Sequence, residues 1–222
     1  QNGVGTTSFI GNDNMNSEKL YAYEAGYRYI PDDKMSLDLA VFYNDYDELQ
    51  GYIPVPNETG YDLTFSNLTE GHTYGFEVAA DWQPISWISF KAAYSYIEMD
   101  FSSTSSTALA DFTEFLETVT PHHQASLHSS LDLSEEWQLN MWLRYMDEIT
   151  GRDSTNLTSS LVTIDDYILF DANLIWKPKK NMEIVLAGTN LLSSSKLQYV
   201  SEFSTPQTEI DRGVYLKITY SF

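Results

Sequence analysis

The chain of 222 residues carries 12 basic against 32 acidic side chains and a formal net charge of −20, which argues against nucleic-acid partners and against attraction to an anionic lipid surface through a basic patch. Cys is absent, which removes disulfide frameworks, thiolate metal sites and cysteine nucleophiles. No run approaches the ~20 apolar residues of a membrane helix, so a bilayer would have to be crossed by a closed sheet.

The 16 Tyr, 11 Phe and 5 Trp are an aromatic excess for a chain of negative mean hydropathy, as strands facing lipid on one side and water on the other require. Residues 1–17 are Gly-, Asn-, Thr- and Ser-rich without period and read as a loop. Over 18–30, Tyr21, Tyr23, Ala25, Tyr27 and Tyr29 share one face against Glu24, Gly26 and Arg28. Pro31, Asp32, Asp33 and Lys34 supply a tight turn, and the returning strand places Met35, Leu37, Leu39, Val41 and Tyr43 opposite Ser36, Asp38 and Asn44.

Residues 47–66, with Pro54, Pro56 and Gly60, read as irregular. A second hairpin follows: Tyr74, Phe76, Val78, Ala80 and Trp82, a turn at 83–87, then Ile88, Phe90, Ala92, Tyr94 and Tyr96. In 101–120, Leu109, Phe112, Phe115 and Leu116 recur at helical spacing, predicting a short amphipathic helix. Ala125, Leu127, Leu131 and Leu133, a turn at 134–136, and Trp137, Leu139, Met141, Leu143 and Tyr145 make a third hairpin. After a connection at 147–165, Ile168, Phe170, Ala172, Leu174 and Trp176 lead through a Lys-Pro turn at 177–181 to Met182, Ile184 and Leu186. A last long loop, 191–211, precedes a closing run with Val214, Leu216, Ile218, Tyr220 and Phe222 on one face.

The prediction is therefore an all-β, antiparallel up-and-down transmembrane β-barrel segment of about nine strands. Short turns (31–34, 83–87, 134–136, 177–181) alternate with long connections (47–66, 101–120, 147–165, 191–211), as in outer-membrane barrels with short periplasmic turns and long outer loops. Trp82, Trp87, Trp137, Trp176 and Phe222 fall toward the turn side, where an interfacial girdle belongs. Two alternatives make distinct predictions. A complete small porin-like or adhesin-like barrel needs an even strand number and closure of first strand on last. A soluble carbohydrate-binding β-sandwich needs Tyr27, Leu39, Val78, Phe90 and Leu143 buried between two sheets.

Several stretches together resemble the TonB-dependent outer-membrane receptors: Glu24-Ala25-Gly26-Tyr27-Arg28, Ala40-Val41-Phe42-Tyr43-Asn44-Asp45-Tyr46, Gly75-Phe76-Glu77, Asp171-Ala172-Asn173-Leu174, Gly188-Thr189-Asn190-Leu191-Leu192, and Arg212-Gly213-Val214-Tyr215 running to Phe222. The resemblance implies the C-terminal part of a barrel of about 22 strands filled by a plug, with residues 1–222 open as a fragment that lacks the plug. It also implies uptake of a scarce ligand such as a ferric siderophore, energised through TonB, in the bacterial outer membrane. The implied partners are the bilayer, the receptor's own plug, TonB, the barrel assembly machinery and a small-molecule or metal-chelate ligand, with no cofactor. Leu216, Ile218, Tyr220 and Phe222 are similar to the C-terminal signal read by the assembly machinery.

No nucleophile elbow, phosphate-cradling loop or metalloprotease His-Glu pair occurs, and no enzyme is expected. His122, His123 and His128 are the clustered metal-ligand candidates. Neighbouring strand residues point to opposite faces, so 122 and 123 cannot chelate from one side, and no metal is expected. Glu24, Arg28, Asp38, Glu77, Asp81, Lys91, Arg144 and Asp171 fall on the wet face, where they would pair across strands, contact a plug or line a passage. Tyr52, Tyr61, Phe112, Phe115, Tyr199 and Phe203, in the long connections, are the candidate ligand contacts.

Overall fold

The computed structural model describes residues 8–58, 60–104, 117–152, 161–200 and 208–222, and its regular structure is almost entirely β. The strands are β1 (Phe9–Ile10), β2 (Lys19–Asp32), β3 (Met35–Asn57), β4 (Gly60–Ile85), β5 (Ile88–Ser103), β6 (His123–Asp132) and β7 (Trp137–Met146). They continue with β8 (Ile149–Arg152), β9 (Leu161–Ile164), β10 (Tyr167–Lys179), β11 (Met182–Thr189), β12 (Ser195–Leu197), β13 (Glu209–Asp211) and β14 (Gly213–Tyr220). The main sheet is antiparallel and up-and-down, in the order β14-β11-β10-β7-β6-β5-β4-β3-β2, with β1 parallel to β4. Nine strands lie on that path, and β2 and β14 are not paired to each other.

Local chemistry accounts for the turns. Asp32 Oδ1 accepts the Lys34 N–H at 2.8 Å, an Asx turn that closes the β2–β3 hairpin. Ser134 Oγ accepts the N–H groups of Glu136 and Trp137, each at 3.2 Å, between β6 and β7. Asn181 Nδ2 donates to the Ser221 carbonyl at 3.2 Å, fastening the β10–β11 turn to the end of the last strand.

The expectation of an irregular 47–66 is corrected: β3 runs to Asn57 and β4 begins at Gly60. The physical reason is the geometry of the open side. The Gln50 N–H is taken by Glu18 Oε1 at 2.8 Å, so alternate N–H groups beyond it point where β2, which starts at Lys19, no longer runs. Pro54 and Pro56 fall in that set, where a missing N–H forfeits no ladder bond. The reading of 1–17 as plain loop is corrected likewise, because β1 pairs with Leu63 and Thr64. Asn16 and Asn67 also bond each other through N–H and amide groups at 2.7 and 3.2 Å. Two further connections contain their own hairpins, β8–β9 and β12–β13, which satisfy backbone groups that a long loop would otherwise leave to water. The helix predicted through Leu109, Phe112, Phe115 and Leu116 lies outside the described residues.

The chain divides into two compact units. The first comprises Gln1–Ala25, Val41–Gly75 and Ile97–Thr120; the second comprises Gly26–Ala40, Phe76–Tyr96 and Pro121–Phe222. In the second unit the period of two sets register. Leu174 pairs with Leu139 and Leu186, and Leu186 with Leu216, an apolar row across four strands. This face is uncovered: Leu186 is 50%, Leu216 61% and Ile218 59% exposed. Left in water, each such side chain forgoes about 1.5–3 kcal/mol, so the row is built for a non-aqueous surrounding. Among the described residues the buried hydrophobic side chains are only Ile164, Leu169, Ala187 and Val200.

The sandwich alternative fails on its own test residues. Tyr27, Leu39 and Leu143 are exposed, and Val78 and Phe90 are half-buried. First-to-last closure, the mark of a self-contained small barrel, is missing from the strand pairs described.

Candidate functional site: the polar face of the sheet

In the second unit the residues alternating with the apolar row form a wet face, and register decides which of them meet. Lys91, His128, Trp142 and Asp171 stand opposite one another along β5, β6, β7 and β10, and Ala93, Ser126, Arg144 and Leu169 form the next row. A concavity of about 750 Å³ opens on this face, with Arg28, Asp38, Glu77, Gln124, Ser126 and Arg144 among its lining. Its charged groups stand over a floor of small residues, Gly26, Ala40, Ala79 and Ala93, which leaves room above the backbone.

Three cross-strand ion pairs hold six of the eight charges picked out above. Arg28 Nε donates to Asp38 Oδ1 at 2.5 Å, Lys91 lies 3.2 Å from Asp81, and Arg144 Nη2 donates to Asp171 Oδ2. The last pair is the most sheltered, the Asp171 side chain being 20% exposed. Asp171 also accepts the Asn190 N–H at 2.8 Å through Oδ1. Asn190 sits at φ 52°, a left-handed conformation that Asn tolerates better than most residues. Its Nδ2 donates to the Ile210 carbonyl at 2.9 Å, and its Oδ1 accepts from Ser193 at 3.1 Å. Removing the carboxylate in Asp171→Ala is expected to cost about 2 kcal/mol, the scale of hydrogen bonds to a charged group. It should lower the thermal midpoint of the folded protein, whereas Asp81→Ala, whose pair is exposed on both sides, should cost less than about 1 kcal/mol.

Glu77 and Glu24 have no ion-pair partner among the described residues. Glu77 lines the concavity; Glu24 is an exposed residue of the first unit. Also in the first unit, Lys19 lies 2.8 Å from Glu48 and 3.6 Å from Asp47.

The histidines are separated rather than gathered. The His123 ring nitrogen Nδ1 lies 2.7 Å from the Tyr94 hydroxyl, and its ring packs on Tyr96 at 5.0 Å. His128 stacks flat on Trp142, centroids 4.4 Å apart and planes 3° apart, on the opposite side of β6. Among the described residues no three His, Cys, Asp or Glu side chains group as a metal site. The His128–Trp142 stack and the Asn140–Asn173 amide bond at 3.0 Å escaped sequence reasoning. Both are signalled only by wet-face residues that share a register position.

Of the candidate ligand contacts, Tyr52 belongs to a three-ring cluster in the first unit, 5.8 Å from Phe9 and 5.4 Å from Phe65. Tyr61 and Tyr199 are exposed. Phe112, Phe115 and Phe203 lie outside the described residues. Leu216, Ile218, Tyr220 and Phe222 are all exposed, and the Tyr220 and Phe222 rings meet edge-on at 5.2 Å.

Comparison with known proteins agrees with this architecture. Residues 1–191 match the family described as TonB dependent receptor-like, beta-barrel. Among solved structures, the FrpB iron transporter from Neisseria meningitidis (F3-3 variant) superposes with a TM-score of 0.73 at 16% identity, over 97% of this chain and 33% of that one. The pyoverdine outer membrane receptor FpvA from Pseudomonas aeruginosa PAO1 bound to pyoverdine gives 0.73 at 16% identity, over 94% and 30%. The siderophore receptor PiuA from Acinetobacter baumannii gives 0.67 at 17% identity, over 91% and 28%. The chain thus spans about a third of the length of the structures it matches. No curated protein matches it in sequence. With an open antiparallel sheet, an uncovered apolar face and a family match over most of its residues, the chain belongs to the TonB-dependent receptor β-barrel family of the bacterial outer membrane.

Proposed function

We propose that the chain is part of a larger receptor barrel that takes up a scarce ligand, a ferric siderophore or similar metal chelate, with energy relayed through TonB. The observation that carries the proposal is the family match over residues 1–191. Support comes from sheet geometry shared with the FrpB iron transporter, the pyoverdine receptor FpvA and the siderophore receptor PiuA. In this reading residues 1–222 wall one side of a lumen and need further strands to close, since open edges in hydrocarbon leave backbone groups unsatisfied. The polar face, with the unpaired Glu77 carboxylate over small residues, fits contact with a plug inside that lumen. The paired charges hold the wall together. Exposed Tyr61 and Tyr199, with the Tyr52 cluster, are the described residues that would meet ligand, and the barrel assembly machinery would insert the folded chain.

The test is uptake of radioactive iron, presented as a panel of ferric siderophores, by cells with and without the receptor gene and with and without TonB. One chelate is expected to enter only when both are present. Tyr61→Ala and Tyr199→Ala in the intact receptor are each expected to weaken its binding about tenfold, the scale of an aromatic anchor. Uptake that is indifferent to TonB for every chelate would remove the transport reading while leaving the barrel in place.

A further inference from the structure

We propose that the β10–β11 turn holds the headgroup of an anionic phospholipid in the leaflet that borders the short turns. The turn carries Lys177, Lys179 and Lys180, three of the chain's 12 basic side chains within four positions, all exposed. The other turns lack such a cluster: β2–β3 has Asp32, Asp33 and Lys34, and β6–β7 has Asp132, Glu135 and Glu136. A concavity of about 600 Å³ at this turn, bordered by the three lysines, Glu135, Glu136, Glu183 and Thr219, lies toward the polar side of the sheet and is distinct from the lipid-facing surface.

Of these acids Glu183 offsets Lys177, which leaves Lys179 and Lys180 as the basic groups with no carboxylate in ion-pair range among the described residues. Glu183 lies 3.7 Å from Lys177. Glu136 Oε2 accepts the Trp176 indole N–H at 3.4 Å, and Glu135 stands exposed on the neighbouring turn.

A register shift aims one of these lysines at lipid. Trp176 pairs with Ile184, but Lys179 pairs with Met182, so one extra residue on β10 returns Lys179 to the face of Trp176, Ile184 and Ile218. Without the bulge Lys179 would face the polar side. Beside it Trp137 and Trp176 stack, centroids 5.3 Å apart and planes 10° apart, an arrangement suited to the headgroup level of a bilayer. Ile184 and Ile218 offer acyl chains a path below. An acidic soluble protein would have no use for this apolar approach, and that commits the site to a lipid.

The net charge of −20 argues against such a surface only if charge is averaged over the chain. At physiological salt the field of distant acids fades within about 8–10 Å, so the groups at the turn decide, where Lys179 and Lys180 keep no ion-pair partner among the described residues although Glu135 and Glu136 border the same concavity. Each lysine near an anionic surface contributes a factor of about five in affinity.

The experiment is native mass spectrometry of the intact receptor chain in mild detergent, titrated with phosphatidylglycerol or phosphatidylcholine. Phosphatidylglycerol is expected to bind in preference. The double variant Lys179→Gln, Lys180→Gln is expected to lose about 25-fold in its affinity, while Lys34→Gln on the β2–β3 turn retains it. Equal binding of the two lipids, or a preference that survives the double variant, would overturn the proposal. Displacement by inorganic phosphate at comparable concentration would overturn the commitment to a lipid. Folding is checked by heat-modifiable gel migration; if the double variant misfolds, Lys180→Gln alone is read, with about a fivefold loss expected. Chelate uptake is a separate readout, so loss of lipid preference with uptake intact is distinguishable from failure of the transport reading.

Discussion

Leu186→Arg is expected to shift the folding equilibrium of the receptor in lipid vesicles by about 2–4 kcal/mol toward the unfolded chain, roughly 30- to 900-fold. Leu186 sits on β11 between Leu174 and Leu216, four residues beyond Met182, where β11 starts, and its side chain is half exposed. At about 3.4 Å of rise per residue, that places it about 14 Å along the strand from the turn, which at the strand tilt of about 40° is a depth of about 10 Å, inside an apolar band about 25 Å tall. An arginine there must strip its guanidinium of water or deform the bilayer to reach it. Were the same face covered only by solvent, substitution of an exposed residue would stay within about 0.5 kcal/mol. Thr219→Arg supplies the control. Thr219 lies on the polar face, opposite Glu183, and its substitution is expected to cost less than about 1 kcal/mol. Equal small effects of the two variants in urea titrations from vesicles would refute assignment of the Leu174–Leu186–Leu216 row to lipid.

The second large effect is expected at Gly71 on β4. A Cβ at this position would meet the Asp100 carbonyl oxygen and would lie 2.5 Å from Phe101 Cδ1 and 2.7 Å from Phe101 Cα. Two of those atoms are backbone of β5, and the Phe101 ring is itself packed on Tyr46 at 5.8 Å. Relief therefore requires β5 to move away from β4 rather than a rotamer change. Gly71→Ala is expected to cost about 1–3 kcal/mol, the range for overpacking, and Gly71→Val more, both seen as a lowered thermal midpoint. Gly11→Ala has nothing within 4 Å of the added methyl and is expected to leave the midpoint within about 0.5 kcal/mol. If Gly71→Ala and Gly11→Ala behave alike, the close approach of β4 and β5 is wrong.

The amino-acid order alone was enough for whatever depends on near neighbours. The two faces of β7, β10, β11 and β14 follow from a period of two. The turns at Asp32 and Ser134 follow from side chains that bond a backbone N–H two or three residues on. Partners remote in sequence were settled only by register. Arg144 and Asp171 are each recognisable as wet-face charges, but their meeting across 27 positions, and the bond from Asp171 to the left-handed Asn190, require β7, β10 and β11 to be aligned. His123 and His128 are five residues apart, and the folded strand sends one to Tyr94 and the other to Trp142. The prolines at 54 and 56 mark the limit most clearly. Their local signal is against a strand, yet proline is penalised only where a neighbour would have accepted its N–H. Glu18 bonds the Gln50 N–H, and β2, which begins at Lys19, does not run on to face the N–H positions beyond it among the described residues.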